Sequence, residues 1–146
     1  MNESGYNIWT DGGSRGNPGP SAIGVVIQGP DIGSKEYGEY IGEGTNNRAE
    51  YAAVIFALKK LKALVGSEKA KKASLIVTAD SELVVRQLSG QYKVKDSDIQ
   101  QWFVEIWNMR LDFGSVVFRH VPREQNHGAD RLVNDALDRE ASKFAL

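Results

Sequence analysis

Residues 6–27 read YNIWTDGGSRGNPGPSAIGVVI, in which two segments rich in strand-forming residues flank a run of turn-forming residues. Residues 6–11 alternate as a strand does, residues 12–20 predict a turn, and residues 22–27 predict a second strand. A third strand is predicted over residues 35–42 after another short turn. Because short links join antiparallel neighbours, this part of the chain predicts a meander of three antiparallel strands.

The rest of the chain alternates between helical and strand-like patterns. After Asn46, apolar residues recur at helical spacing as far as Gly66, which predicts one long helix. Further strands are predicted at residues 75–79 and 116–121, and further helices at residues 81–88, from residue 96 or 97 onward, and around residues 129–137. Right-handed crossovers would place the last two strands parallel to the first. The sequence therefore predicts an α/β fold whose five-stranded mixed sheet has three antiparallel strands, then two parallel ones, and is flanked by helices.

The composition limits the classes of protein that need to be considered. The 146 residues, of which 41% are apolar, suit a single domain over residues 1–146 with an ordered core at about 6–140. The chain has no cysteine, which excludes disulfide frameworks, thiolate metal sites and a cysteine nucleophile, and fits a cytoplasmic location. We expect no membrane span and no secretory signal in residues 1–5. A net charge of −1 means that any binding to nucleic acid depends on local placement of charge.

Four acidic residues lie at the ends of predicted elements. Asp11 ends the first strand and Asp80 follows the fourth, so both should lie at the same edge of the sheet if these strands are parallel neighbours. Glu50 and Asp130 each lie in the first turn of a predicted helix, where an acid can also serve only to complement the helix dipole. If the four carboxylates converge, their repulsion requires a cation, and oxygen ligands without cysteine favour Mg²⁺ or Mn²⁺.

Four segments together resemble the ribonuclease H family, type 1. They are TDGGSRGNPG at residues 10–19, TNNRAE at 45–50, DS at 80–81 and NHGAD at 126–130. The resemblance extends over about residues 6–140 and implies a ribonuclease H-like fold. It also implies an endonuclease that hydrolyses the RNA strand of RNA–DNA hybrids and leaves 5′-phosphate and 3′-hydroxyl ends.

The resemblance implies a role for each of the candidate catalytic residues. Asp11, Glu50, Asp80 and Asp130 match the carboxylate tetrad that binds two Mg²⁺ ions, with Mn²⁺ as the alternative metal. Asp11 would bridge both ions, Glu50 and Asp80 would hold the first, and Asp130 the second. His120 matches the family's loop histidine, which implies proton transfer or help in product release. Without the resemblance, the preferred interpretation of His120 is a surface histidine at the end of a strand.

The resemblance also implies residues that contact the substrate. The minor groove of the hybrid would be lined by Ser14, Gly16, Asn17, Asn46, Asn47 and Glu50. Thr45 and Arg48 resemble the family's pocket for a DNA phosphate. Asn46 and Asn47 can at the same time cap the long helix.

The sequence departs from many family members between residues 88 and 98. The basic, tryptophan-containing helical insertion that grips the DNA strand in those members is replaced by a short link. Tyr92, Lys93, Lys95 and Trp102 could form a reduced substitute by stacking and phosphate contact, although Trp102 also suits the core. We therefore expect modest affinity for the hybrid and a strong dependence on salt.

Three interpretations of function remain at this stage. The first is a metal-dependent endonuclease that acts as a monomer on RNA–DNA hybrids, with no membrane and no obligate protein partner. The second is a binding module that keeps the fold without the reaction, and the presence of all four acids argues against it. The third is a small-ligand α/β protein whose glycine-rich turn cradles a phosphate. That turn leads to a strand, however, whereas phosphate-binding loops lead to a helix.

Overall fold

The computed structural model of the protein describes residues 5–143. Residues 1–4, which we expect to carry no secretory signal, lie outside the described part of the chain. The strands are β1 (Gly5–Ser14), β2 (Gly19–Gly29), β3 (Gly33–Gly44), β4 (Ser74–Ala79) and β5 (Ser115–His120). The helices are α1 (Asn46–Val65), α2 (Ser67–Lys72), α3 (Glu82–Leu88), α4 (Ser97–Met109) and α5 (His127–Ser142), with single 3₁₀ turns at Arg110–Asp112 and Arg123–Gln125.

The five strands form one mixed sheet in the order β3-β2-β1-β4-β5. β1 pairs with β2 and β2 with β3 in antiparallel fashion, whereas β1 pairs with β4 and β4 with β5 in parallel. The predicted class, strand number and strand directions are therefore confirmed. Within residues 5–143, no helix combines the length and the apolar character needed to cross a membrane.

The two faces of the sheet are covered by different helices. One face packs against α1 and α3, and α4 packs on α1, in the main hydrophobic core, which includes the fully buried Tyr51, Leu58 and Ile106. The other face packs against α5, with a smaller cluster built around Ala22 and Val133. Trp102 is half-buried against the main core, in agreement with its interpretation as a core residue.

β1 is longer than the sequence predicts. Residues 12–14 continue the strand, because their backbone stays paired with β2 as far as Ser14 opposite Ser21. The prediction that Asp11 ends the strand is therefore wrong. The parallel ladder to β4 stops one residue earlier, at Thr10 opposite Ala79, so Asp11 is the first residue beyond it. Asp11 therefore lies at the end of the parallel pairing with β4, although β1 itself continues beyond it.

The start of α1 also differs from the prediction. Its N-cap is Thr45, whose hydroxyl accepts a hydrogen bond from the Arg48 N–H at 3.3 Å, so Asn46 and Asn47 do not cap the helix. Glu50 is consequently the fifth residue of the helix and lies past its first turn. α2 was not predicted, since SEKAKK contains a single apolar residue, Ala70, which is buried.

Candidate active site

Gly12 allows α1 to lie directly on β1. A Cβ atom at this position would be 2.2 Å from the backbone carbon of Ala49, far inside van der Waals contact. The residue before Gly12 in the strand is Asp11, and the residue after Ala49 in the helix is Glu50. Both acids are almost fully buried, with 6% and 8% of their surface exposed. The contact between strand and helix therefore brings two carboxylates together under the protein surface.

Gly24 performs the same function for α5 on the other face of the sheet. It lies opposite Asp11 in the β1–β2 register, and a Cβ there would be 2.1 Å from the Ala129 carbonyl oxygen. The first turn of α5 therefore packs directly on β2 and carries Asp130 to the carboxyl edge of β1. Asp80 reaches the same edge because it directly follows β4.

Three of the four predicted acids form a compact cluster. Asp11, Glu50 and Asp80 each place one carboxylate oxygen within 4.8 Å of the others. Asp130 lies outside that group but lines the same pocket, which has a volume of about 370 Å³. Arg123 also lines this pocket, and its Nη2 atom lies 3.4 Å from Asp130 Oδ1.

Burial and mutual repulsion make these carboxylates hard to ionise. Burial, followed by the charges of Asp80 and Asp130, raises the pKa of Asp11 to about 7. Burial, followed by the charges of Asp11 and Asp80, raises the pKa of Glu50 well above its ordinary value. Burial also raises the pKa of Asp80, while a hydrogen bond from Asn126 and the charge of Arg123 act in the opposite direction. Several oxygen donors around one point, each costly to ionise alone, fit a hard divalent cation.

Asn126 is a structural residue of the site whose role the sequence does not reveal. It is only 1% exposed, and its Nδ2 atom donates a hydrogen bond to the Thr10 carbonyl oxygen at 2.9 Å. Its Oδ1 atom has no hydrogen-bond partner among the described residues. Asn126 thus ties the start of α5 to the end of the β1–β4 ladder. The only sequence signal was its place in the NHGAD segment, which does not distinguish a surface cap from a buried link.

His120 lies at the same edge of the sheet as the acids. It is the last residue of β5 and stands opposite Ala79, the residue before Asp80. Its side chain is exposed, and its charge opposes the rise in the pKa of Asp80. The structure therefore places His120 beside the cluster, at its solvent-facing side.

The glycine-rich turn is joined to the start of α1 by hydrogen bonds. The Ser14 N–H donates to Asn46 Oδ1 at 2.9 Å, and the Asn46 N–H donates to Asn17 Oδ1 at 3.0 Å. Gly16, Asn17, Asn46 and Asn47 are exposed, and Ser14 and Asn46 line the acid pocket. Five of the predicted groove residues therefore lie together beside the acids on a surface that we call the asparagine ledge: Ser14, Gly16, Asn17, Asn46 and Asn47. The sixth, Glu50, is buried in the acid cluster.

A second pocket, of about 460 Å³, lies where α1 and α4 begin. Thr45 and Arg48, the predicted phosphate contacts, both line it, as does Asp96, the N-cap of α4. The guanidinium group of Arg48 forms an ion pair with the carboxylate of Asp98. The sequence does not predict this pair, because fifty residues separate its members and neither lies in a periodic pattern.

Tyr92, Lys93 and Lys95 lie on a separate surface from the acids. All three are exposed and line a pocket of about 530 Å³ beside α3. The buried Gln87 anchors this link, because its Nε2 atom donates to the Lys93 carbonyl oxygen at 3.1 Å while its Oε1 atom accepts from the Tyr51 hydroxyl at 2.6 Å. The link is therefore held to the core at its centre, with its polar side chains directed to solvent.

A mixed sheet in the order β3-β2-β1-β4-β5, with acids gathered beyond the ends of its central parallel strands, defines the ribonuclease H-like class of α/β proteins. Comparison with known proteins leads to the same class. The family model described as reverse transcriptase-like matches residues 9–136. The chain belongs to the ribonuclease H-like family.

Three relatives illustrate the similarity. LC11-RNase H1, whose crystal structure was determined in complex with an RNA/DNA hybrid, is 44% identical, with a TM-score of 0.85 and coverage of 93% of this chain and 99% of that one. A ribonuclease H of Methylococcus capsulatus is 33% identical over 89% of this chain and 87% of its own length. The bifunctional protein Rv2228c of Mycobacterium tuberculosis is 41% identical over 94% of this chain. This chain spans only 37% of the length of that relative.

Proposed function

We propose that this protein is an endonuclease that hydrolyses the RNA strand of RNA–DNA hybrids, leaving 5′-phosphate and 3′-hydroxyl ends. The observation that carries the proposal is the cluster of the buried Asp11 and Glu50 with the half-buried Asp80 at the carboxyl edge of the parallel strands. Family membership and the similarity to LC11-RNase H1, which was crystallised with such a hybrid, support the choice of substrate.

The acids are suited to hold divalent ions. We assign Asp11, Glu50 and Asp80 to one ion and Asp11 with Asp130 to a second, with Mg²⁺ as the first candidate and Mn²⁺ as the alternative. When bound, such a pair of ions supplies activation of a water molecule and stabilisation of the leaving oxygen. Asn126 ties the start of α5 to β1 through the Thr10 carbonyl oxygen, and Arg123 offsets the charge of Asp130. His120, exposed beside Asp80, is assigned to proton transfer or to product release.

The asparagine ledge is suited to contact the minor groove of the hybrid. Asn17 and Asn46 use their Oδ1 atoms within the protein, which leaves their amide NH₂ groups as donors. The RNA 2′-hydroxyl oxygens and the acceptors on base edges are groups that such donors bind. Ser14, Gly16 and Asn47 complete this surface, while Thr45 and Arg48 are assigned to a phosphate of the DNA strand.

The proposal is tested with a hybrid labelled on its RNA strand. We expect cleavage with Mg²⁺, none with a chelator, and a rate at least about a hundredfold lower for Asp80→Asn, which removes a ligand charge from the cluster. Asp112→Asn is the matched control, since Asp112 lies on the 3₁₀ turn after α4 and pairs with Lys62. His120→Ala should retain substantial activity in the same assay. Metal-independent cleavage, or an unchanged rate for Asp80→Asn, would contradict the proposal, and binding without cleavage would favour a binding module.

A further inference from the structure

Arg48 is already paired with a carboxylate in the free protein. It is the third residue of α1, two residues before Glu50, and its guanidinium group contacts the carboxylate of Asp98 in the first turn of α4. The side chains of Arg48 and Asp98 are 44% and 54% exposed, so water and other anions can reach both. Arg48, which the proposed function assigns to a DNA phosphate, is therefore already bound to an anionic side chain of the protein itself.

The backbone at Asp98 is held firmly in this position. Asp96 Oδ1 accepts hydrogen bonds from the Asp98 N–H at 2.9 Å and from the Ile99 N–H at 3.2 Å, and the Ile99 side chain is buried in the core. On the other side, α1 has no acidic residue in its first turn, so the positive end of its dipole is not offset there. Asp98 is thus a fixed anion presented to a region that is otherwise suited to a phosphate.

We propose that Asp98 competes with the nucleic-acid backbone for Arg48 and thereby limits the affinity of the protein for its hybrid substrate. This inference rests on the proposed function and names an affinity-determining residue for it. The exchange is easy because an exposed ion pair is screened by water and weak, whereas guanidinium and phosphate form a strong bidentate contact.

The test is a binding titration of a fluorescently labelled hybrid in a chelator, where no cleavage occurs, over a series of salt concentrations. Asp98→Asn removes the negative charge and keeps the shape, and we expect it to lower Kd by about threefold to tenfold at low salt. The gain should shrink as salt rises, because screening also weakens the Arg48–Asp98 pair whose removal produces it. Asp112→Asn, which neutralises another exposed, ion-paired aspartate, should leave Kd unchanged.

A double-mutant cycle with Arg48→Gln separates competition for Arg48 from a general charge effect. Asp98→Asn should give no gain in the Arg48→Gln background, and a gain that persists there would overturn the inference. Weaker binding by Asp98→Asn alone would show instead that Asp98 orients Arg48, and unchanged binding would show that it does not compete. Circular dichroism of each variant checks the fold. Cleavage of the hybrid by the unmodified protein keeps the proposed function intact in all these cases, whereas a protein that neither binds nor cleaves it refutes both.

Discussion

Asp11 is energetically costly to ionise because of its position. It is 6% exposed, follows the end of the parallel ladder and lies close to the carboxylates of Glu50 and Asp80. A hydrophobic or amide side chain at this position would destabilise the folded protein less than a carboxylate does. A site of this kind lowers the stability of the metal-free protein and raises its affinity for a cation. The loss of stability can be measured as a dependence of the free energy of unfolding on pH.

We expect the metal-free protein to become less stable as pH rises from about 4 to about 7. The folded state raises the pKa of Asp11 to about 7 from an ordinary value of 3.8, so it binds the proton more tightly than the unfolded chain does in that interval. The free energy of unfolding therefore falls with pH and levels off above about 7. In Asp11→Asn this slope should be smaller and the protein more stable at pH 8 by about 1–3 kcal/mol.

Urea unfolding in a chelator between pH 4.5 and 8 measures this effect. Asp31 provides a control of opposite sign, since hydrogen bonds from Lys69 and then Tyr6 lower the pKa of its carboxyl group. Asp31→Asn should therefore leave the falling slope above pH 5 in place. A wild-type stability that rises between pH 5 and 7 would show that the acids are not strained in the metal-free state.

At the scale of elements, the site depends on two strand glycines that let helices approach from opposite faces of the sheet. Gly12 allows α1 to pack closely on the sheet and so sets the position of Glu50. Gly24 allows α5 to pack closely on the other face and so sets the position of Asp130. The sequence predicts a turn at Gly12, because a glycine-rich run has the same composition whether it bends or continues a strand. Only the packing of α1 on β1 distinguishes the two cases.

We expect Gly12→Ala to destabilise the protein by at least about 2 kcal/mol and to reduce cleavage of the hybrid at least tenfold. The added methyl group would overlap the Ala49 backbone, which cannot move without displacing α1 and Glu50. Gly13→Ala is the matched control for stability, because its Cβ would meet Val133 at an ordinary 3.6 Å. Thermal unfolding of both variants measures the difference. Equal stabilities would mean that α1 does not rest on the strand as closely as described.

For the molecule as a whole, sequence patterns predicted the sheet better than the surface. Hydrophobic periodicity and the right-handed crossover rule are enough to place β4 and β5 parallel to β1, and hence Asp11 near Asp80. The pairing of Arg48 with Asp98 and of Arg123 with Asp130 was not predicted, since long polar side chains find partners through tertiary geometry alone. The same limit applies to α2, whose six residues carry no amphipathic pattern.

The net charge of −1 makes the location of each lysine matter more than their number. We expect the double variant Lys93→Gln and Lys95→Gln to raise KM for the hybrid and leave kcat unchanged, because these exposed side chains lie away from the acids. If each lysine neutralises one phosphate, the slope of log K against log salt should fall in magnitude by about 1.4–1.8. The double variant Lys71→Gln and Lys72→Gln removes the same charge from α2 and should change neither quantity appreciably. Equal effects of the two double variants would mean that the hybrid responds to total charge, and would remove the link beside α3 from the binding surface.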